Sequence, residues 1–147
     1  MVVADLQVVD VEDVIPHRPP FLLVTSVTEL VPGREARGFW QLTGEEDFFK
    51  GHFPGRPTLP GVLMVESLAQ LGAVAVLAMP ECAGSIPLFG GIDRARFRRQ
   101  VVPGDRLDLA VRMDRLSSRG GRGSGTASVG GEAACQVDLL FVIAPAR

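Results

Sequence analysis

Residues 62–79 read VLMVESLAQLGAVAVLAM, and Pro80 follows. Apart from Glu66, Ser67 and Gln70 every position is apolar or glycine, so at helical spacing no face is left for water. A helix of this length spans roughly 27 Å. It must be enclosed by protein or lipid on nearly all sides. A membrane span is disfavoured by an acid and an amide near its start, by Gly72, and by a length at the bare minimum. The stretch therefore reads as a central helix buried by the rest of a small domain.

The flanking sequence supplies the enclosure. FLLVTSVTELV (21–31) is apolar and β-branched, stops at Pro32-Gly33, and is followed by REARGFWQLT (34–43), which together read as a strand pair joined by a turn. EEDFFKGHFPGRPTLPG (45–61) is interrupted by Pro54, Pro57, Pro60, Gly51, Gly55 and Gly61, too punctuated for a helix or a regular strand, so it reads as a long ordered loop. After the helix come four strand-like runs, PLFGGIDRARFRR (87–99), DRLDLAVRMDRLSS (105–118), GTASVG (125–130) and EAACQVDLLFVIA (132–144). Turns are expected at 103–105 and 130–131. Leu107, Leu109, Val111 and Met113 alternate with Asp108, Ala110, Arg112 and Asp114, which gives an antiparallel strand with one buried side. GGRGSGTASVGG (120–131) is Gly-rich enough to be a mobile or strongly bent strand.

These elements predict an α+β fold over residues 1–147 as one domain, with a strongly curved antiparallel sheet wrapped around one long helix. The sheet's open edge is expected to pair with a second copy. At 147 residues, 46% hydrophobic and 22% charged, the chain can bury a core and matches neither a disordered nor a membrane composition. MVVADLQVVDVEDV (1–14) has acids where a secretory leader has bases, and no Arg-rich amphipathic leader, which predicts a cytoplasmic protein. Cys82 and Cys135 lack CxxC spacing and any partner His in a ligand pattern, so they read as buried thiols with no metal site.

The net charge of −2 conceals a basic zone, nine Arg against three Asp across residues 94–122. Arg94, Arg96, Arg98 and Arg99 form its densest part, and strand alternation sets the first three on one face, as either a dock for an acidic partner or an ordinary solvated surface. Nucleic-acid binding is the weaker reading, because only Phe97 is interleaved among these bases.

Within GHFPGRPTLPGVLMVESLAQ (51–70), His52 sits on a loop whose prolines restrict it and whose glycines allow tight turns and close ligand approach. Glu66 is the one formally charged residue in an apolar helix, so desolvation is expected to hold its carboxyl protonated enough to donate a proton. Gln70 lies one turn on, where its amide can orient that carboxyl. The first N–H groups of the helix, near Gly61, lack intrahelical partners and can stabilise an oxyanion. A His base, a carboxylic acid and backbone donors suit proton abstraction beside a carbonyl with loss of a β-hydroxyl, that is, elimination of water. Singly, a loop His is also an ordinary surface residue and a buried Glu an ordinary hydrogen bonder; only their joint occurrence points to chemistry.

The chain resembles the FabZ-type 3-hydroxyacyl-[acyl-carrier-protein] dehydratases, which have the hot-dog fold. The resemblance runs through IPHRPPFLLV (15–24), GHFPGRPTLPGVLMVESLAQ (51–70) and GIDRARFRRQVVPGD (91–105), in order and at the family's spacing. It implies dehydration of a (3R)-hydroxyacyl chain, carried on the 4'-phosphopantetheine of acyl carrier protein, to a trans-2-enoyl thioester in fatty-acid or related lipid or polyketide synthesis. It also implies a homodimer, assembled as a trimer of dimers, with His52 of one subunit facing Glu66 of the other and no metal or organic cofactor. Gly61 matches the backbone donor to the thioester carbonyl, Gln70 the residue that orients the acid, and Phe53 joins them in binding substrate. Pro19, Thr25-Ser26 and Leu59 depart from the family's usual residues. Glu66 in place of Asp favours simple dehydration over dehydration with isomerisation, and His17 is expected to be structural. Rival readings are a hot-dog thioesterase, separable by assaying free thiol against enoyl product, and a nonenzymatic acyl-binding subunit, which would need neither His52 nor Glu66.

Overall fold

A computed structural model describes residues 9–145; residues 1–8, the greater part of the acidic start considered above, lie outside the described residues. Strand β1 (Ser26–Val31) turns into β2 (Glu35–Gln41), a four-residue helix α1 (Phe48–Gly51) precedes the long helix α2 (Gly61–Leu77), and four strands follow: β3 (Ile86–Phe97), β4 (Arg106–Ser117), β5 (Gly120–Val129) and β6 (Glu132–Ala144). All six form one antiparallel sheet in the order β1-β2-β4-β5-β6-β3. The sheet curls around α2, which touches every strand. This is the expected hot-dog arrangement.

From Met64 to Leu77 every residue of α2 except Glu66 is buried, which is why the helix needs no polar face. It stops three residues short of Pro80, whose ring disfavours helical backbone at the residue before it; Met79 accordingly has ψ 133°. The inward faces of the strands complete the core with Leu107, Leu109 and Val111 from β4, Ala127 from β5 and Cys135, Val137 and Leu139 from β6. Cys82 and Cys135 are both buried free thiols. No helix among the described residues is long and apolar enough to cross a membrane.

Three details differ from the sequence reading. Residues 21–24 do not join β1, because side chains of α2 take hydrogen bonds that a neighbouring strand would otherwise make. The 45–61 segment is not wholly loop, since Phe49 is buried and α1 forms around it. The Gly-rich run pairs with β6 from Gly120, ahead of the expected start at Gly125, to Val129, with one register shift between Ala127 and Ser128. One reason for its glycines is proximity to α2: a Cβ at Gly125 would lie 3.3 Å from the Leu68 side chain.

β1 and β3 are the sheet's two edges. On β3 the edge is long and apolar, with Ile86, Leu88, Phe89, Ile92 and Phe97 all exposed.

Candidate active site

His52 caps the C-terminus of α1, where its N–H bonds to the Phe48 carbonyl. The chain then folds back: Phe53 and Arg56 exchange main-chain hydrogen bonds, and the Thr58 N–H donates to the His52 carbonyl at 2.8 Å. The ring is fixed by the same residue, Nδ1 lying 2.7 Å from the Thr58 carbonyl oxygen. A carbonyl only accepts, so the neutral imidazole carries its hydrogen on Nδ1 and presents the Nε2 lone pair outward. That is the tautomer a general base requires. Phe53 stacks on the imidazole with centroids 4.0 Å apart and is itself half exposed.

Glu66 stands in the second turn of α2, at the wall of a cavity of about 160 Å³. Gln70, one turn on and 1% exposed, holds it. The amide's orientation is set by the main chain: its oxygen accepts the Leu23 N–H at 2.7 Å, so its nitrogen donates to the Phe21 carbonyl at 2.9 Å and to Glu66 Oε1 at 3.0 Å. Ser67 adds a hydrogen bond to the Leu23 carbonyl, tying residues 21–23 to the helix. Glu66 is not sealed in apolar surroundings as its sequence neighbours suggest. Its side chain is 19% exposed, and His17 Nε2 lies 3.8 Å from Oε1. The cavity is closed by Ala69 and Ala73 of α2, Pro87, Leu88 and Phe89 of β3, and Phe141 of β6.

The sequence reading gave His17 a structural role; the fold places it in the lining of the Glu66 cavity. Burial pushes its pKa down, against the opposing pull of the Glu66 charge. The available signal was its place in the segment just before Phe21 and Leu23, which Gln70 binds. Within one chain His52 does not line the Glu66 cavity. Gly61 begins α2 and sits so close to β3 that a Cβ would come within 2.9 Å of the Phe97 ring.

The basic zone is less uniform than alternation implies. Arg94 has a positive φ of 52°, and the β3–β6 register shifts between Asp93 and Arg96, so an extra residue breaks the alternation there. Beyond the bulge Arg96 lies opposite Gln136, while Phe97 lies opposite buried Cys135 and turns toward Gly61. Arg99 pairs with Glu132 at 2.9 Å, Arg98 donates to Gln136 at 2.7 Å, and Arg94 is 4.0 Å from Asp138. Among the described residues Arg96 has no ion-pair partner.

A buried, largely apolar helix wrapped by an antiparallel sheet is the hot-dog arrangement, and here the helix carries a carboxylate oriented by an amide one turn on. Residues 15–138 match the model of the FabA-like domain, and the chain belongs to that family. Three curated relatives carry the name 3-hydroxyacyl-[acyl-carrier-protein] dehydratase FabZ. The one from Moorella thermoacetica is 53% identical over 90% of this chain and 93% of its own. Those from Bacillus subtilis (50%; 90% and 94%) and Pelotomaculum thermopropionicum (49%; 94% and 99%) are similar to the same extent. In fold the chain is similar to the dehydratase heterocomplex ApeI:P of Xenorhabdus doucetiae, with a TM-score of 0.82 at 17% identity over 95% of this chain and 93% of that one. An uncharacterized protein of Pyrococcus horikoshii aligns with a TM-score of 0.69 at 14% identity, over 94% and 95% of the two chains.

Proposed function

We propose that this chain is a 3-hydroxyacyl-[acyl-carrier-protein] dehydratase of fatty-acid synthesis that works in the cytoplasm as a dimer, each site combining His52 of one subunit with Glu66 of the other. Nε2 of His52 removes a proton from the carbon next to the thioester carbonyl. Glu66 protonates the β-hydroxyl, the C–O bond breaks, and water and a trans-2-enoyl thioester leave. His52 ends as imidazolium and Glu66 as carboxylate, and one proton returned from the first to the second resets the pair. The N–H of Gly61, preceding the hydrogen-bond ladder of α2 at the positive end of its dipole, suits the enolate oxygen.

The observation that carries the dimeric reading is the disposition of the two groups along β3. The Glu66 cavity is walled by the first part of this edge strand, Pro87 to Phe89, while the His52 loop runs into Gly61, which packs on its last residue, Phe97. Two β3 edges paired antiparallel about a twofold axis bring the start of one beside the end of the other. Each Glu66 cavity then meets the partner's His52. Phe53 and Gln70 serve binding and orientation. Acyl carrier protein docks through the basic zone with Arg96, which has no ion-pair partner among the described residues, at its centre and Arg94, Arg98 and Arg99 flanking it; charge reversal at Arg96 is expected to raise KM at low salt.

Mixed dimers test the composite site. His52→Ala and Glu66→Gln are each expected to lower dehydration by about 10²- to 10⁴-fold. Chains carrying one substitution each, co-folded at equal ratio, form half their dimers as mixed pairs with one intact site of two, restoring about a quarter of the original activity. No recovery above the single variants would sink the shared site.

A further inference from the structure

His17 has no part in the chemistry just described, yet among the described residues it is the one other titratable group lining the Glu66 cavity. Its Nε2 faces Glu66 Oε1 at 3.8 Å, and its Nδ1 is buried with no hydrogen-bond partner among the described residues. We propose that His17 is a positioning residue, a neutral imidazole that joins Gln70 in engaging Oε1 of Glu66 so that the transferable proton resides on Oε2. The inference rests on Glu66 being the general acid.

Three observations support it. A buried ring nitrogen without a partner is far better tolerated as a lone pair than as an N–H, so the ring's single hydrogen belongs on Nε2, the atom directed at Glu66. Protonation would add an N–H at Nδ1 with no acceptor. Next, the surroundings offer nothing to hold a cation except Glu66 itself. The facing residues of β3 and β6 are Pro87, Leu88, Phe89 and Phe141, and neighbouring Arg18 is turned away onto Glu12 and the carbonyls of Ile15 and His17. The downward shift of the His17 pKa agrees. Finally, Gln70 already donates to Oε1, and its orientation cannot invert without losing both main-chain bonds. With a second donor converging on the same oxygen, Oε1 is the acceptor and a protonated carboxyl carries its hydrogen on Oε2. The 3.8 Å separation is longer than a hydrogen bond; such catalytic contacts commonly tighten only when substrate binds.

Neutrality is the functional point. A cation at this position would hold Glu66 as carboxylate and deprive it of the proton it must give up.

The test uses three substitutions in the full-length chain, with dehydration followed across pH. His17→Gln supplies a neutral N–H from its own Nε2 and should keep kcat within about tenfold of the parent. His17→Leu should lose kcat by about 10- to 100-fold with KM unchanged, the pattern of an interaction made in the transition state. His17→Lys should lose at least as much, and the high-pH limb of its kcat/KM profile should move to lower pH. An active Lys variant beside an inactive Gln variant would overturn the proposal in favour of a cationic partner. Full activity of the Leu variant would overturn it outright, and so would losses in all three that track falling thermal stability. Glu66→Gln, assayed in parallel, separates the two layers. If it stays active, the acid reading fails; if it is inactive while His17→Leu is active, only the role of His17 fails.

Discussion

The side-chain oxygen of Gln70 accepts the main-chain N–H of Leu23 at 2.7 Å, deep in the core and across 47 residues of sequence. Because the same amide holds Phe21 and Glu66, one side chain fixes both the segment over α2 and the carboxyl. Gln70→Leu strands a buried N–H and a carbonyl, each costing about 1–3 kcal/mol, and frees Glu66. Denaturation midpoint and dehydration rate should therefore both fall. Gln70→Glu keeps an acceptor for Leu23 but offers no donor to the Glu66 carboxylate, so its activity should drop further than its stability.

Gly72 of α2 packs against Phe141, which lines the cavity. A Cβ there would stand 2.7 Å from a ring carbon of Phe141 and 3.4 Å from Val111. Gly72→Ala gains about 1 kcal/mol of helix propensity but incurs an overpacking cost of about 1–3 kcal/mol. Phe141 is 4% exposed and lines the cavity, so the strain is relieved by moving its ring into that space. A modest loss of stability should accompany a turnover profile shifted toward shorter acyl chains, measured across a series of carrier-bound substrates.

Cys135 has no solvent contact, and burial pushes its thiol from 9.0 up to about 11. The folded chain thus keeps a proton that the unfolded chain releases near pH 9. The unfolded state binds fewer protons between the two values, so this contribution to stability is complete below about pH 9 and is lost on rising toward pH 11. Urea midpoints recorded from pH 8 to 11 should fall more steeply in the parent than in Cys135→Ala. Equal slopes would show that the thiol is not the titrating group.

Ile92 lies near the middle of the β3 edge, 48% exposed and paired on its other side with Leu139. A charge on an edge strand discourages pairing with a second copy while leaving the chain's own ladder intact. Ile92→Lys should sediment as a monomer with a native circular dichroism spectrum and little dehydratase activity. A fully active monomer would contradict a site shared across two chains.

Local chemistry made much of this architecture readable in advance. The β1–β2 turn is one case: Pro32 and Gly33 follow Val31, Gly33 takes φ 75°, and the Arg34 N–H closes the turn on the Val31 carbonyl at 2.9 Å, as a Pro-Gly pair favours. The alternation in β4 is another, since Leu107, Leu109 and Val111 all face the core. Departures came where a long-range contact outweighed a local preference. Leu22 to Val24 have strand-forming composition, but Gln70 and Ser67 take the hydrogen bonds of this segment. The bulge at Arg94 broke an alternation that the residues alone suggested.

By itself the sequence determined that a helix over most of Val62–Met79 must be enclosed, that an antiparallel sheet encloses it, and that His52 and Glu66 are the candidate acid/base groups. Those conclusions follow from periodicity, punctuation and the cost of burying an acid, all short-range properties of the chain. Only the tertiary structure decided that Gln70 is saturated by residues 21 and 23, that His17 stands at Glu66, and that the His52 loop and the Glu66 cavity adjoin opposite ends of one edge strand. These are relations between segments far apart in sequence, set by how the sheet curls and which main-chain groups it leaves for side chains to satisfy.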